Sequence, residues 1–105
     1  MKELKSNEVK IIKQQDKALV DFYAAWCGPC TYMKPYFEEA EKEIKNYGIE
    51  CYEIDVDECE EFSFENKIQF VPCVIYFEKG KEIARFTGGK DKEGIMDFVR
   101  KNAGI

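Results

Sequence analysis

The sequence predicts an α/β fold in which a mixed central β-sheet is flanked by helices on both faces. Segments that are apolar on both sides alternate with segments of helical period, as parallel strands joined by crossover helices do. The alternation ends in two strand-like runs joined by Lys79-Gly80-Lys81, a hairpin that adds antiparallel strands. The chain has 105 residues, the size of one hydrophobic core, so residues 1–105 are expected to form one domain.

Residues 1–4 are expected as a short edge strand. Residues 6–15 read as a short helix, with Ser6 as candidate N-cap, Glu8 in the first turn, and Val9, Ile12 and Ile11 as its buried stripe. Residues 18–24 are apolar on both faces except for Asp21, the pattern of a central strand covered by helices. Residues 28–47 turn helical, with Met33, Phe37, Ala40 and Ile44 on the core face, a kink expected at Pro35 and a stop at Gly48. Tyr32, Tyr36 and Phe37 on this helix are read as packing and rim residues. Residues 51–56 alternate as a strand with Tyr52, Ile54 and Val56 on one face. Residues 57–66 suit a short helix with Phe62 and Phe64 inward, and residues 73–77 and 82–87 form the hairpin strands. Asp91 is placed to cap a last helix, whose core face is Ile95, Phe98 and Val99.

Composition removes several function classes. Hydrophobic residues make up 45% and charged residues 35% of the chain, a globular balance. The net charge of −5 lacks the basic footprint of a nucleic-acid binder. No apolar run approaches the roughly eighteen residues of a membrane span, so no membrane association is expected. The first residues carry acidic groups and no apolar h-region, unlike a secretory signal, which points to the cytoplasm and to reduced thiols. Histidine is absent, which excludes Cys-His and Ser-His nucleophile pairs and histidine-ligated zinc. Proton transfer therefore falls to a carboxylate, a thiol, a lysine, a tyrosine or water.

Five cysteines cannot all pair. Cys27-Gly28-Pro29-Cys30 stands where a buried strand ends and a helix begins. A lone C-x-x-C also suits half of a zinc site, but Cys51, Cys59 and Cys73 offer no second close pair, so no metal is expected. Amides and the macrodipole at a helix start favour an anion, so Cys27 should ionise more easily than a free thiol. Cys30, one turn further in, is expected to be the more buried sulfur, placed to attack a mixed disulfide formed at Cys27. Asp21 has two readings. It is an exposed strand-edge residue, or it is a buried carboxylate beneath the motif with a raised pKa, able to accept the Cys30 proton.

These residues closely resemble the thioredoxin family. The match runs through Val20-Asp21-Phe22-Tyr23-Ala24-Ala25-Trp26-Cys27-Gly28-Pro29-Cys30, Met33-Lys34-Pro35, Asp55-Val56-Asp57, Val71-Pro72, Lys79-Gly80 and Gly88, over essentially the whole chain. The resemblance implies the thioredoxin fold and a general protein-disulfide reductase that maintains cell redox homeostasis. Cys27 would be the nucleophile, Cys30 the resolving thiol and Asp21 the buried acid/base. Pro72 would be cis against the sulfurs, and Val71 would pair with the substrate backbone. Trp26 would shield the site with Asp57 accepting its indole N–H, and Gly88 would keep the substrate groove open. Gly28-Pro29 is the pair associated with reducing members. No bound cofactor is implied. Electrons would come from NADPH through a thioredoxin reductase, the partners would be that reductase and disulfide-containing targets such as peroxiredoxins, and the expected state is a monomer. The alternatives are a thioredoxin-like disulfide isomerase or oxidase domain, and a binding or chaperone subunit on the same scaffold.

The chain departs from the family pattern at three places. Thr31 replaces a common lysine. Glu53 stands where relatives often have lysine near the buried aspartate. It either raises the Asp21 pKa further or reaches solvent, the second being preferred. Cys73 follows Pro72 where threonine is usual. It is read as a small buried residue, with a regulatory thiol as the rival. Cys59 matches a non-active-site cysteine of animal relatives and carries the same two readings, while Cys51 is assigned to the core.

Overall fold

A computed structural model describes residues 1–105. Strand β1 (Lys2–Glu3) is followed by a 3-10 helix (Val9–Gln14), β2 (Lys17–Tyr23), α1 (Gly28–Ile44) with a 3-10 turn (Lys45–Tyr47), β3 (Glu50–Asp55), α2 (Glu60–Glu65), β4 (Cys73–Glu78), β5 (Lys81–Thr87) and α3 (Lys92–Ala103). The five strands lie in the order β1-β3-β2-β4-β5. β1, β3 and β2 run parallel, while β4 and β5 are antiparallel to their neighbours.

The sheet has two buried faces. Leu19, Val74 and Tyr76 pack with Met33, Phe37, Ala40 and Ile44 of α1 and Ile95, Met96 and Val99 of α3. Val20, Phe22, Ile54, Cys73, Ile75 and Phe77 pack on the other face with Leu4, Ile12 and Cys59. A central strand buried on both sides explains why residues 18–24 are apolar throughout, and β2 is that strand.

Several local expectations need correction. The first helix is a short 3-10 segment, not an α-helix, and Ser6 is not its cap. The cap position is Glu8, whose side chain instead accepts the Lys5 amide at 2.9 Å. Only Ile12 of its stripe is fully buried, so little packing holds this short segment in a regular α-helix. Phe64 does not pack inward: it is 85% exposed, while Phe62 stacks on Phe22 with ring centroids 6.0 Å apart. On α2, Ser63 is the buried residue, so the inward face lies one position from Phe64. On α3, Met96 joins Ile95 and Val99 in the core and Phe98 is half-buried. Helix α1 continues through Pro35, and Gly48 ends its 3-10 extension in the left-handed region at φ 75°.

Candidate active site

Cys27 and Cys30 form a disulfide with their Cα atoms 5.3 Å apart. Cys27 is the N-cap of α1, with extended backbone, and its sulfur accepts the Cys30 amide at 3.2 Å. Pro29 within the first turn needs no amide partner and holds a helical φ, which suits the start of the helix. The helix therefore presents its N-terminal amides to the sulfur that becomes anionic when the bond is reduced. The two residues are equally buried, each 5% exposed, so the expected burial difference is absent in this oxidised state. What separates the sulfurs is their neighbours.

On one side of Cys27 lies the loop before β4. The Val71–Pro72 peptide is cis, and the Val71 carbonyl oxygen lies 3.7 Å from Cys27 Sγ. The Pro72 carbonyl accepts the Gly88 amide at 2.9 Å. Gly88 has φ +89°, and a Cβ there would meet nothing within 4 Å, so its backbone and not its volume asks for glycine. Trp26 is 73% exposed, and its indole N–H donates to Asp57 Oδ2 at 2.9 Å. Trp26, Val56, Ile68, Phe70 and Val71 line a shallow, largely apolar groove of about 360 Å³. Phe70, 69% exposed, extends the groove, and its role was missed in sequence because an aromatic in a loop gives no periodic signal.

On the Cys30 side lies a second cleft, of about 240 Å³, lined by Asp21, Tyr23, Ala24, Ala25, Cys30, Thr31, Lys34 and Glu53. Asp21 is buried, 3% exposed, and its Oδ1 has no hydrogen-bond partner. Burial, helped by the nearby Glu53 charge and opposed by Lys34, pushes its carboxyl up to about 7. The strand-edge reading of Asp21 is thus excluded. Glu53 does not simply reach solvent, as preferred from sequence. It is buried at 8% exposure, and burial raises its carboxyl too, against the pull of Lys34.

The other thiols sit apart from the redox pair. Cys73 packs in the cluster of Phe22, Ile75 and Phe77, on the sheet face opposite α1 and Cys30. Its sulfur is 3.9 Å from Arg85 Nη1, and burial raises its thiol although Arg85 opposes this. Cys59 is buried at the start of α2, with its sulfur 3.7 Å from the Leu4 carbonyl and its thiol raised by burial. Cys51 is core, its thiol pushed by burial up to about 12. Buried thiols held protonated are poor nucleophiles, which favours the packing reading for all three. Tyr32 is exposed and meets Tyr36 edge-on, and Phe37 is fully buried. The one group of three close carboxylates, Glu3, Asp55 and Glu58, includes no cysteine.

The thioredoxin family model matches residues 2–101. A thioredoxin of Mycoplasmoides gallisepticum is 34% identical over 91 residues, covering 87% of this chain and 89% of the relative. A protein disulfide isomerase-like 1-4 of Arabidopsis thaliana is 36% identical over 98 residues, 93% of this chain, and the chain spans only 16% of that longer protein. Among solved structures, Plasmodium falciparum thioredoxin superposes with a TM-score of 0.88 at 27% identity, covering 96% of this chain and 98% of the other. A matched span that begins with β1 and ends within α3, around a helix-capping Cys27–Cys30 disulfide, makes the chain a member of the thioredoxin family of thiol–disulfide oxidoreductases.

Proposed function

We propose that this thiol–disulfide oxidoreductase works as a general reductant of protein disulfides. The observation that carries the reading is the asymmetry around the redox pair: Cys27 abuts an open apolar groove and a free main-chain edge, whereas Cys30 backs onto a buried acid. In the reduced protein the Cys27 thiolate attacks one sulfur of a target disulfide. A mixed disulfide forms and the target's other sulfur leaves as a thiolate. Cys30 then attacks Cys27 and passes its thiol proton to Asp21. The Cys27–Cys30 bond forms, the second target sulfur leaves, and two electrons have moved from the dithiol to the target. The main chain at Val71 pairs with an extended target strand in this reading, and Trp26, Pro72 and Gly88 bound the groove that receives it. Gly28 and Pro29 shape the turn between the sulfurs.

Chain 1–105 acts in this reading as one domain, with no bound cofactor or metal. Electrons come from NADPH through a thioredoxin reductase, and targets include thiol peroxidases of the peroxiredoxin type. The cytoplasm, which keeps thiols reduced, suits a chain whose other three cysteines are unpaired. Neither Cys59 nor Cys73 is assigned a regulatory role.

The test is insulin reduction with dithiothreitol, and with NADPH plus a thioredoxin reductase, paired with a trapping variant. Cys30→Ser should hold targets as stable mixed disulfides on Cys27, and Cys27→Ser should abolish turnover. Full activity in Cys27→Ser sinks the reading. The likeness to a disulfide isomerase-like protein gives the rival, an oxidase or isomerase domain. A reduction potential well above the cytosolic glutathione poise would select it.

A further inference from the structure

Three strands place three carboxylates in one row. Asp21 of β2 is in register with Glu53 of β3, and Glu53 is in register with Glu3 of β1. Parallel strands in register point paired side chains to the same face, one strand spacing of about 4.8 Å apart. The row therefore starts under Cys30 and ends at the sheet edge. Exposure rises along it: Asp21 is 3% and Glu53 8% exposed, and the Glu3 side chain is 31% exposed.

Asp21 and Glu53 share the cleft beneath Cys30, whose rim includes the exposed Thr31 and Lys34. The cleft has room for water and offers it several polar partners. The groups facing Glu53 are Asp21 and Tyr23 from β2, Glu3 and the N-terminal ammonium from the β1 end, and Lys34 and Glu38 from α1, with Asp55 on its own strand. Tyr23 is occupied as a donor to Glu3 Oε2 at 2.8 Å, and the N-terminal ammonium pairs with Glu41 at 2.9 Å. Glu53 has no such partner, so it is the free carboxylate between the buried acid and the surface.

Asp21 must lose the proton it takes from Cys30 before it can act again, and its unpartnered Oδ1 is sealed from bulk water. We propose that Glu53 carries the proton between Asp21 and solvent, acting across the strand pair as the positioning and relay carboxylate of the resolving step. The proton leaves the Cys30 thiol as the Cys27–Cys30 bond forms, rests on Asp21, passes to the Glu53 carboxylate and is released at the cleft mouth beside Lys34. In the reverse direction the same path returns a proton to the Cys30 sulfur when the disulfide is reduced. This inference rests on the reductase reading.

The test uses the full chain with Glu53→Gln, which keeps shape but cannot take a proton, and Glu53→Asp as the conservative control. Rapid mixing of each reduced protein with a model disulfide reads the resolving step across pH, including below pH 7, where Asp21 starts protonated and must first pass its proton out. Glu53→Gln should slow the resolving step below pH 7 by roughly tenfold, a small part of a general-base effect. Added imidazole or acetate should restore the rate, and Glu53→Asp should retain most of it. A Glu53→Gln protein with wild-type rates below pH 7 and no response to added buffer overturns the relay. A purely electrostatic Glu53 would, when neutralised, lower the Asp21 inflection and speed the step below pH 7, which also overturns the relay. The reductase reading is judged separately, on wild type: if wild type reduces no protein disulfide, that reading fails whatever the Glu53 variants do.

Discussion

Asp21 is the residue at which stability and chemistry pull in opposite directions. A buried carboxyl is tolerable when neutral and costly when charged. Its folded pKa of about 7 lies above the ordinary carboxylate value. Between those two values the native state holds a proton that the unfolded chain has released, so stability falls as pH rises from about 4 toward 7. Above that window the penalty stays at its full size. Asp21→Asn removes it and should stabilise the oxidised protein by up to roughly 4 kcal/mol above pH 7, less whatever an unpaired buried amide costs. The gain should shrink toward zero near pH 4. Urea denaturation at both ends of the window checks this, and a gain independent of pH would mean that packing, not ionisation, is responsible. The same substitution should slow the resolving step. Asp21 was legible in sequence because one acid interrupts an otherwise apolar strand. Glu53 was not, because it alternates with Cys51 and Asp55 on a face that reads as wet until α1 is known to cover it. Cys73 is the small buried residue read from sequence: it follows Pro72 directly, but strand alternation turns its sulfur to the face opposite the redox pair.

At the scale of elements, the β4–β5 turn shows how a short segment is locked by a neighbour. Gly80 has φ +79°, and a Cβ there would stand 2.9 Å from Lys13 Cγ and 3.0 Å from Lys13 Cα. The hairpin thus presses against the backbone of the 3-10 helix, which a flexible side chain moving aside cannot relieve. Gly48 has a similar φ of +75° but open space around it. Gly48→Ala should cost about 1 kcal/mol, the left-handed penalty alone. Gly80→Ala adds the displacement of Lys13 and should cost about 2–3 kcal/mol. Chemical denaturation of the two variants measures the difference, and equal losses would show that the contact with Lys13 relaxes freely. The hairpin itself was legible from Lys79-Gly80-Lys81, as was the long helix from its apolar spacing. The 3-10 form of residues 9–14 was not, since Val9, Ile11 and Ile12 satisfy a helical period over too short a span to decide the helix type.

Across the whole molecule the strand order explains where the chemistry sits. β2 connects through α1 to β3 on one side and pairs with β4 on the other, so the chain reverses direction around the carboxyl end of β2. Such a switch point leaves a crevice into which a helix N-terminus can point, and Cys27 occupies it. Alternating pattern reveals the strands but not their order, because order depends on crossover handedness and packing partners. The groove beside Cys27 is apolar at its floor; Asp57 meets its rim through Trp26, while Glu58, Glu60, Glu61 and Glu65, all exposed, form an acidic bank around a separate cleft on α2. Together with the net charge of −5, this bank should set which targets arrive quickly. A basic disulfide peptide should be reduced several-fold faster at low salt than an acidic peptide of the same apolar sequence. Raising salt to physiological strength shortens the screening length to about 8 Å and should bring the two rates together from opposite directions. Replacing Glu60, Glu61 and Glu65 by glutamine should reduce the difference without touching the redox pair. Initial rates for both peptides across a salt series provide the measurement. If the charge preference survives at high salt, short-range contacts in the groove decide target choice and the acidic bank does not.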